Sequence, residues 1–343
     1  MSDEPALCGD LRTSPAANVV GEGDVVSSER TEVRRALSRD GRRVMEKRYL
    51  RSHQRENDSL ARDIATREVR LLQLIEQSQA FGGEIAAMRL VEHDCERGWL
   101  SFEESAGQPL LKSLASFRRV PPEVIAGGLK ASGRWLRAMQ TVPFDQCDLT
   151  PLDPDYDPPD LQKYCEIRWK RITSWTSRFR NSDLPRRFLD RMTELYGIWR
   201  PLPVVWAHGD YCPANVLWDG STLTAIDYEN ARPRSPWIDA TYFLMMMQSL
   251  VINSPWKRFP VDDWRRHFLT GLGVSELPNT PEIRLCMLKH LLCKLGSSSR
   301  PRTRSLPERL WVQYFRERVI GWMEAELARP LEGIQDDEAC GSP

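Results

Sequence analysis

Hydrophobic and polar positions change rhythm once along this chain. Before about residue 105 they alternate in short runs, and beyond about residue 121 apolar side chains recur at helical spacing. Segment 17–50 is rich in valine and arginine and carries the turn signal Ser38-Arg39-Asp40-Gly41, which predicts two or three antiparallel strands, the last at 42–50. Segment 58–77 places Ile64, Leu71, Leu72 and Ile75 on one helical stripe, and 86–105 reads as two strands around a turn at 94–98. Residues 106–110 form a short connector. Helices are expected at 122–142, 160–179 and 185–199, near 283–295 and at 308–327, with a Pro/Asp-rich loop at 145–160. No internal repeat appears. The expected fold is α+β and two-lobed: a loose tail at 1–18, a small antiparallel-sheet N-lobe at 19–105, and a larger, mostly helical C-lobe at 106–343.

Composition narrows the setting. The 48 basic and 48 acidic side chains cancel, so no nucleic-acid or acidic-membrane partner is suggested. None of the eight cysteines forms a CxxC pair, which argues against a zinc site or redox dithiol and fits a reducing compartment. The most apolar run, at 242–252, is interrupted by Gln248 and is too short to cross a bilayer. The first residues lack a basic-then-apolar leader pattern. A cytoplasmic protein without membrane insertion is expected.

The chemistry concentrates at "HGDYCPANVLW" (208–218) and "IDYEN" (226–230). Apolar segments flank Asp219-Gly220, a dipeptide suited to a tight turn, so the two motifs read as arms of one hairpin. Pairing outward from that turn sets Asn215 opposite Thr224 or Ala225, with Asp227 near the same open end and Asp210 in the loop before it. Three oxygen-bearing side chains then share one rim. Hard oxygen donors of this kind suit Mg²⁺, which takes few protein ligands and completes its shell with water and phosphate oxygens. The Asp210–Asn215 spacing, followed by a downstream aspartate, is also that of a protein-kinase catalytic loop.

Taken together, "HGDYCPANVLW", "AIDYENA" and "WIDATYF" resemble the aminoglycoside phosphotransferase and choline kinase family of the protein-kinase-like superfamily. The resemblance implies an ATP- and Mg²⁺-dependent kinase. Asp210 becomes the base that accepts the proton of a substrate hydroxyl, and Asn215 and Asp227 hold Mg²⁺ at the nucleotide phosphates. His208 braces the loop, Asp239 buttresses it, and Glu229 either touches a second metal or hydrogen-bonds the loop. Lys47 resembles the strand lysine that meets the phosphates. Its partner follows from periodicity: Glu68 lies on the inward stripe of the 58–77 helix, where a carboxylate is costly unless paired. The segment at 99–110 resembles the link between lobes, with main-chain groups of Glu103 to Ser105 meeting adenine. A GxGxxG phosphate loop is absent, and Ser27 to Thr31, with Ser28 its candidate phosphate contact, is the expected substitute.

Three function classes follow. The leading one is a small-molecule kinase transferring the γ-phosphoryl group of ATP to the hydroxyl of a sugar, amino alcohol or antibiotic. The others are a kinase acting on a protein or glycan, and a nucleotide-binding pseudokinase scaffold. Only eleven residues separate Asp227 from Asp239, which leaves no evident activation segment for a protein substrate. Three features bear on the acceptor. Six aspartates at 145–160 either attract an amine or cap turns, and Trp169, Trp175 and Trp199 form either a cation–π wall or core. The basic stretch 294–304 reads as a solvated loop or as a contact for an anionic sugar or lipid-linked glycan.

Overall fold

A computed structural model describes residues 25–38, 40–50, 59–150, 161–199, 204–300 and 304–330. The expected tail at 1–18, Ser28 of the phosphate loop and the aspartates beyond 150 lie outside the described residues. Contacts divide the chain into two units, Met1–Pro143 with His208–Ala231, and Phe144–Ala207 with Arg232–Pro343. The expected lobe boundary at 105/106 falls inside the first unit.

The first unit is built on an antiparallel sheet of β1 (Val25–Ser27), β2 (Thr31–Leu37), β3 (Arg43–Tyr49), β5 (Leu90–Asp94) and β6 (Trp99–Glu103), ordered β1-β2-β3-β6-β5. Between β2 and β3 the chain turns at Gly41, whose φ of 78° is left-handed. Register sets the faces. Val33, Lys47 and Leu100 lie directly opposite one another across β2, β3 and β6, and Thr31 lies opposite Tyr49. Lys47 and Tyr49, two apart on β3, therefore share a face. Helix α1 (Ser59–Gln77) packs on β3 and β5 and buries Ala65, Glu68, Val69, Leu71, Leu72 and Ile75. Glu68 is the lone carboxylate among them, as the stripe predicts.

A second sheet in this unit has the order β4-β10-β9-β7, from β4 (Ile85–Ala86), β7 (Gln108–Pro109), β9 (Val216–Trp218) and β10 (Leu223–Ala225). β4 and β7 escape sequence analysis because a two-residue strand carries no periodicity. The connector reaches β9 through Gly107, with φ of 97°; a Cβ there would lie 2.6 Å from the Trp218 carbonyl carbon. Helices α2 (Leu110–Ala115) and α3 (Pro122–Met139) follow, and the Trp218 indole donates to the Val124 carbonyl at 3.1 Å.

The second unit holds α4 (Leu161–Trp175), α5 (Leu184–Ile198), a two-stranded ribbon of β8 (Val205–Ala207) and β11 (Arg232–Arg234), and then α6 (Ile238–Asn253), α7 (Val261–Leu272), α8 (Pro281–Ser299) and α9 (Leu306–Ala328). α8 runs through its middle, packed by α4, α5, α6 and α9 and buried on nearly every side. It starts at Pro281 because the Thr280 hydroxyl accepts the Ile283 amide at 3.4 Å. Residues 294–299, expected in a loop, are its last turns, where Leu295, Gly296, Ser298 and Ser299 are buried. Trp169 is core: it is 2% exposed and meets Phe179 and Phe188 edge-on. No described helix is long and apolar enough to cross a membrane.

Candidate active site

The hairpin forms, in a register one to two residues from the expected one. Trp218 pairs with Leu223 and Val216 with Ala225, and the Asn215 carbonyl accepts the Ile226 amide at 2.9 Å. The loop takes four residues instead of two because the Asp219 carboxylate accepts the Ser221 and Thr222 amides, both at 2.7 Å, and so continues the turn. These hydrogen bonds, the Thr222 amide foremost, hold its pKa below the ordinary value. Only Gly220 of the expected dipeptide is left-handed.

Leading into the hairpin, residues 208–215 form a braced loop. His208 is fully buried and packs against the rings of Trp135, Tyr211 and Tyr228. Its Nδ1 accepts the Asp210 amide at 3.4 Å, so Nε2 carries the proton and donates to the Ile226 carbonyl at 3.0 Å. The imidazole thus ties the loop to the far hairpin arm. Tyr211 stacks on Trp135 with ring centroids 5.1 Å apart and donates to the Ser132 carbonyl at 2.7 Å. Between them, Gly209 has φ of 81°, and a Cβ there would lie 2.2 Å from the Asn230 carbonyl oxygen.

Asp210 is half-buried. Asn215 Nδ2 donates both to its carboxylate and to its main-chain carbonyl, each at 3.0 Å. Asn215 is wholly buried, and its Oδ1 has no hydrogen-bond partner among the described residues. An unsatisfied buried acceptor costs about 1–3 kcal/mol.

The other hairpin arm delivers Asp227 to the sheet. Asp227 has φ of 72°, a left-handed conformation that side-chain-bearing residues adopt at a cost. Lys47 Nζ lies 2.8 Å from Asp227 Oδ1, 3.4 Å from Glu68 Oε2 and 3.9 Å from Glu229 Oε2, and 4.8 Å from the centre of the Tyr49 ring. Lys47 is 7% exposed and Glu68 1%. Burial alone disfavours the ammonium, but Asp227, Glu68, Tyr49 and Glu229 outweigh it and hold its pKa well above the ordinary range. Lys47 is therefore a fixed cation. Glu68 also accepts the Tyr228 amide at 3.3 Å and the Tyr49 hydroxyl.

Among these groups one ammonium faces three carboxylates, an excess of negative charge, and the same unit holds the Asn215 oxygen that has no partner among the described residues. A hard divalent cation fits that donor set of amide and carboxylate oxygens. Asp210, Asn215, Asp227, Lys47 and Glu68 all fall in the first unit. Glu103 and Ser105 lie at and just beyond the end of β6; the Glu103 and Glu104 amides are taken by the Arg89 and Arg43 carbonyls, at 2.9 and 3.1 Å. Asp239 is buried in the first turn of α6, in the second unit. Asp145 and Asp148, the described part of the aspartate-rich loop, cap turns: Asp148 Oδ2 accepts the Asp145 amide and Asp145 Oδ1 the Cys147 amide, both at 3.0 Å. Tyr49 carries no signal in the sequence, since a tyrosine ending a strand reads as ordinary core.

A family model described as the APH phosphotransferase enzyme family matches residues 29–286. Among solved structures, an ADP-bound aminoglycoside phosphotransferase, APH(2'')-Ib, is 14% identical, with a TM-score of 0.56 and coverage of 86% of this chain and 90% of that one. The amicoumacin kinase hAmiN, solved with AMP-PNP, Ca²⁺ and Ami, is also 14% identical, with a TM-score of 0.56 and coverage of 92% of both chains. A Plasmodium vivax ethanolamine kinase is 10% identical, with a TM-score of 0.56 and coverage of 88% of this chain and 83% of that one. At such identities the likeness is one of fold, which is α+β and protein-kinase-like. No curated protein matches the chain by sequence.

Proposed function

The chain belongs to the phosphotransferase enzyme family, and from that premise we propose that it is an ATP- and Mg²⁺-dependent small-molecule kinase acting on a substrate hydroxyl. The observation that carries this reading is the buried cluster in the first unit. Lys47 is held among Asp227, Glu68 and Glu229, and the same unit carries a loop carboxylate, Asp210, and an amide oxygen, Asn215 Oδ1, without a partner among the described residues.

Each residue then has a task. Asp210, held by Asn215 Nδ2, orients the acceptor hydroxyl and takes its proton as the oxygen attacks the γ-phosphorus. The bond from the γ-phosphorus to the bridging oxygen breaks, and ADP leaves. Asn215 Oδ1 and the Asp227 carboxylate would hold Mg²⁺, which supplies charge neutralisation at the phosphate oxygens. Lys47, protonated throughout, supplies a fixed positive charge to the phosphates, and Glu68 positions it. His208, with its proton committed to the Ile226 carbonyl, braces the loop and does not act as base. The main chain from Glu103 to Ser105 meets the adenine, the Glu103 and Glu104 amides excepted. The acceptor is a sugar, amino alcohol or antibiotic, and the protein works in the cytoplasm.

Equilibrium binding of ATP with and without Mg²⁺ tests this directly. In the wild type Mg²⁺ should tighten binding by about tenfold or more, worth ~1.4 kcal/mol. Asp227→Ala should remove that dependence. Equal binding with and without Mg²⁺ in the wild type would contradict the assignment of Asn215 and Asp227.

A further inference from the structure

Lys47 and Glu68 do not form a closed pair. Lys47 Nζ stands 3.5 and 3.4 Å from the two Glu68 oxygens but 2.8 Å from Asp227 Oδ1. Glu68 has a closer partner, for the Tyr49 hydroxyl donates to the same Oε2 that Lys47 approaches. With the Tyr228 amide on Oε1, each oxygen of this carboxylate is fixed by a neutral donor. Tyr49 cannot easily leave. Its amide donates to the Gly98 carbonyl at 2.8 Å, its strand register puts it opposite Thr31, and its ring lies beneath the Lys47 ammonium. It is 4% exposed. Burial first, and then the Glu68 charge, raise its pKa well above the ordinary phenol value, so the hydroxyl remains a donor at working pH.

Resting on the kinase reading above, we propose that Tyr49 is a positioning residue for phosphoryl transfer: it saturates Glu68, so that the carboxylate steadies Lys47 without capturing it and the ammonium stays turned toward Asp227 and the phosphates. The chemistry behind this is competition for lone pairs. A carboxylate with one oxygen open draws an ammonium into a short contact, whereas one already bound by two neutral donors offers it a longer, weaker one. Removing the hydroxyl frees Oε2, and Lys47 closes onto Glu68 and away from the transferring group. Binding of the nucleotide, which rests on many contacts, changes little. Alignment of the cation in the transition state does not survive.

The test follows transfer of the γ-label from Mg·ATP in the presence of the small-molecule fraction of a cell extract as acceptor source, with the Asp210→Asn protein as the blank, in wild type, Tyr49→Phe, Glu68→Gln and the double variant. Tyr49→Phe should lower kcat by about tenfold while KM for ATP changes by less than about threefold. In the Glu68→Gln background the same substitution should add little, because the two side chains act as one unit. A packing role alone gives additive losses, and that outcome, or an unchanged kcat in Tyr49→Phe, overturns the proposal while leaving the kinase reading intact. A wild type no faster than the blank overturns the kinase reading and the proposal with it. Should Tyr49→Phe fail to fold, 3-fluorotyrosine at position 49 keeps ring and hydroxyl. Its fluorine resonance should shift in Glu68→Gln, and an unmoved resonance overturns the proposal.

Discussion

Gly209 sits between the histidine that ties the catalytic loop down and the aspartate that loop presents. Its left-handed φ and the closeness of the Asn230 carbonyl leave no room for a side chain. Gly209→Ala should therefore destabilise the protein by about 1–3 kcal/mol in denaturant unfolding, combining backbone strain with displacement of residue 230. A loss below about 0.5 kcal/mol would mean that the loop moves freely, against the bracing described. Asp227 takes a similar conformation without being glycine, so its strain is retained beside the Lys47 contact. Residue by residue, the sequence is most informative where chemistry demands a particular group in a costly place. Glu68 on an apolar stripe announces a buried partner, and Lys47 meets it at 3.4 Å. Tyr49 gives no such signal, since only its hydroxyl, aimed at Glu68, sets it apart from a packed aromatic.

Between elements, the α6–α8 contact carries a titration. His290 on α8 is 2% exposed, and its Nε2 donates to the Ile238 carbonyl at 2.8 Å. Burial above all, helped by Lys289, Arg234 and Lys294, drives its pKa well below the ordinary histidine value, although the Ile238 carbonyl opposes the shift. The unfolded chain takes up a proton below its ordinary pKa of about 6.5, and the folded chain does not. Stability from this group is thus full above that pH and falls as pH drops below it, by at most ~1.4 kcal/mol per pH unit. Denaturant titrations between pH 7 and 5.5 should show the slope, and His290→Gln should flatten it. An unchanged slope in the variant would assign the loss elsewhere. Legibility at this scale follows amphipathicity. α1, α3 and α5 bury one face and are readable from spacing. α6 hides apolar residues all round, so the run 242–252 reads as merely apolar. Antiparallel β2, β3, β5 and β6 are announced by turns at Gly41 and Gly98, whereas β4 pairs in parallel with a strand more than a hundred residues away.

At the scale of the whole molecule, the first unit gathers residues from two distant parts of the chain: sheet and helices from before Pro143, and the hairpin 208–231. Lys47 and Asp227, 180 positions apart, meet inside it. That meeting is long-range, yet both halves were legible because each motif carries its own local signature. The acceptor was not. Helices of the second unit show no comparable signature, and of their tryptophans Trp169, Trp175 and Trp199 only Trp169 is fully buried core. Family membership and the kinase-like fold agree with the site but do not choose the acceptor. The function proposed for this chain is transfer of phosphate from ATP to a small molecule. The wild type is incubated with γ-labelled ATP, Mg²⁺ and the small-molecule fraction of a cell extract, with Asp210→Asn as the blank. A labelled small molecule should form with the wild type alone; equal labelling in the two proteins, with ATP binding intact in both, would contradict the kinase assignment.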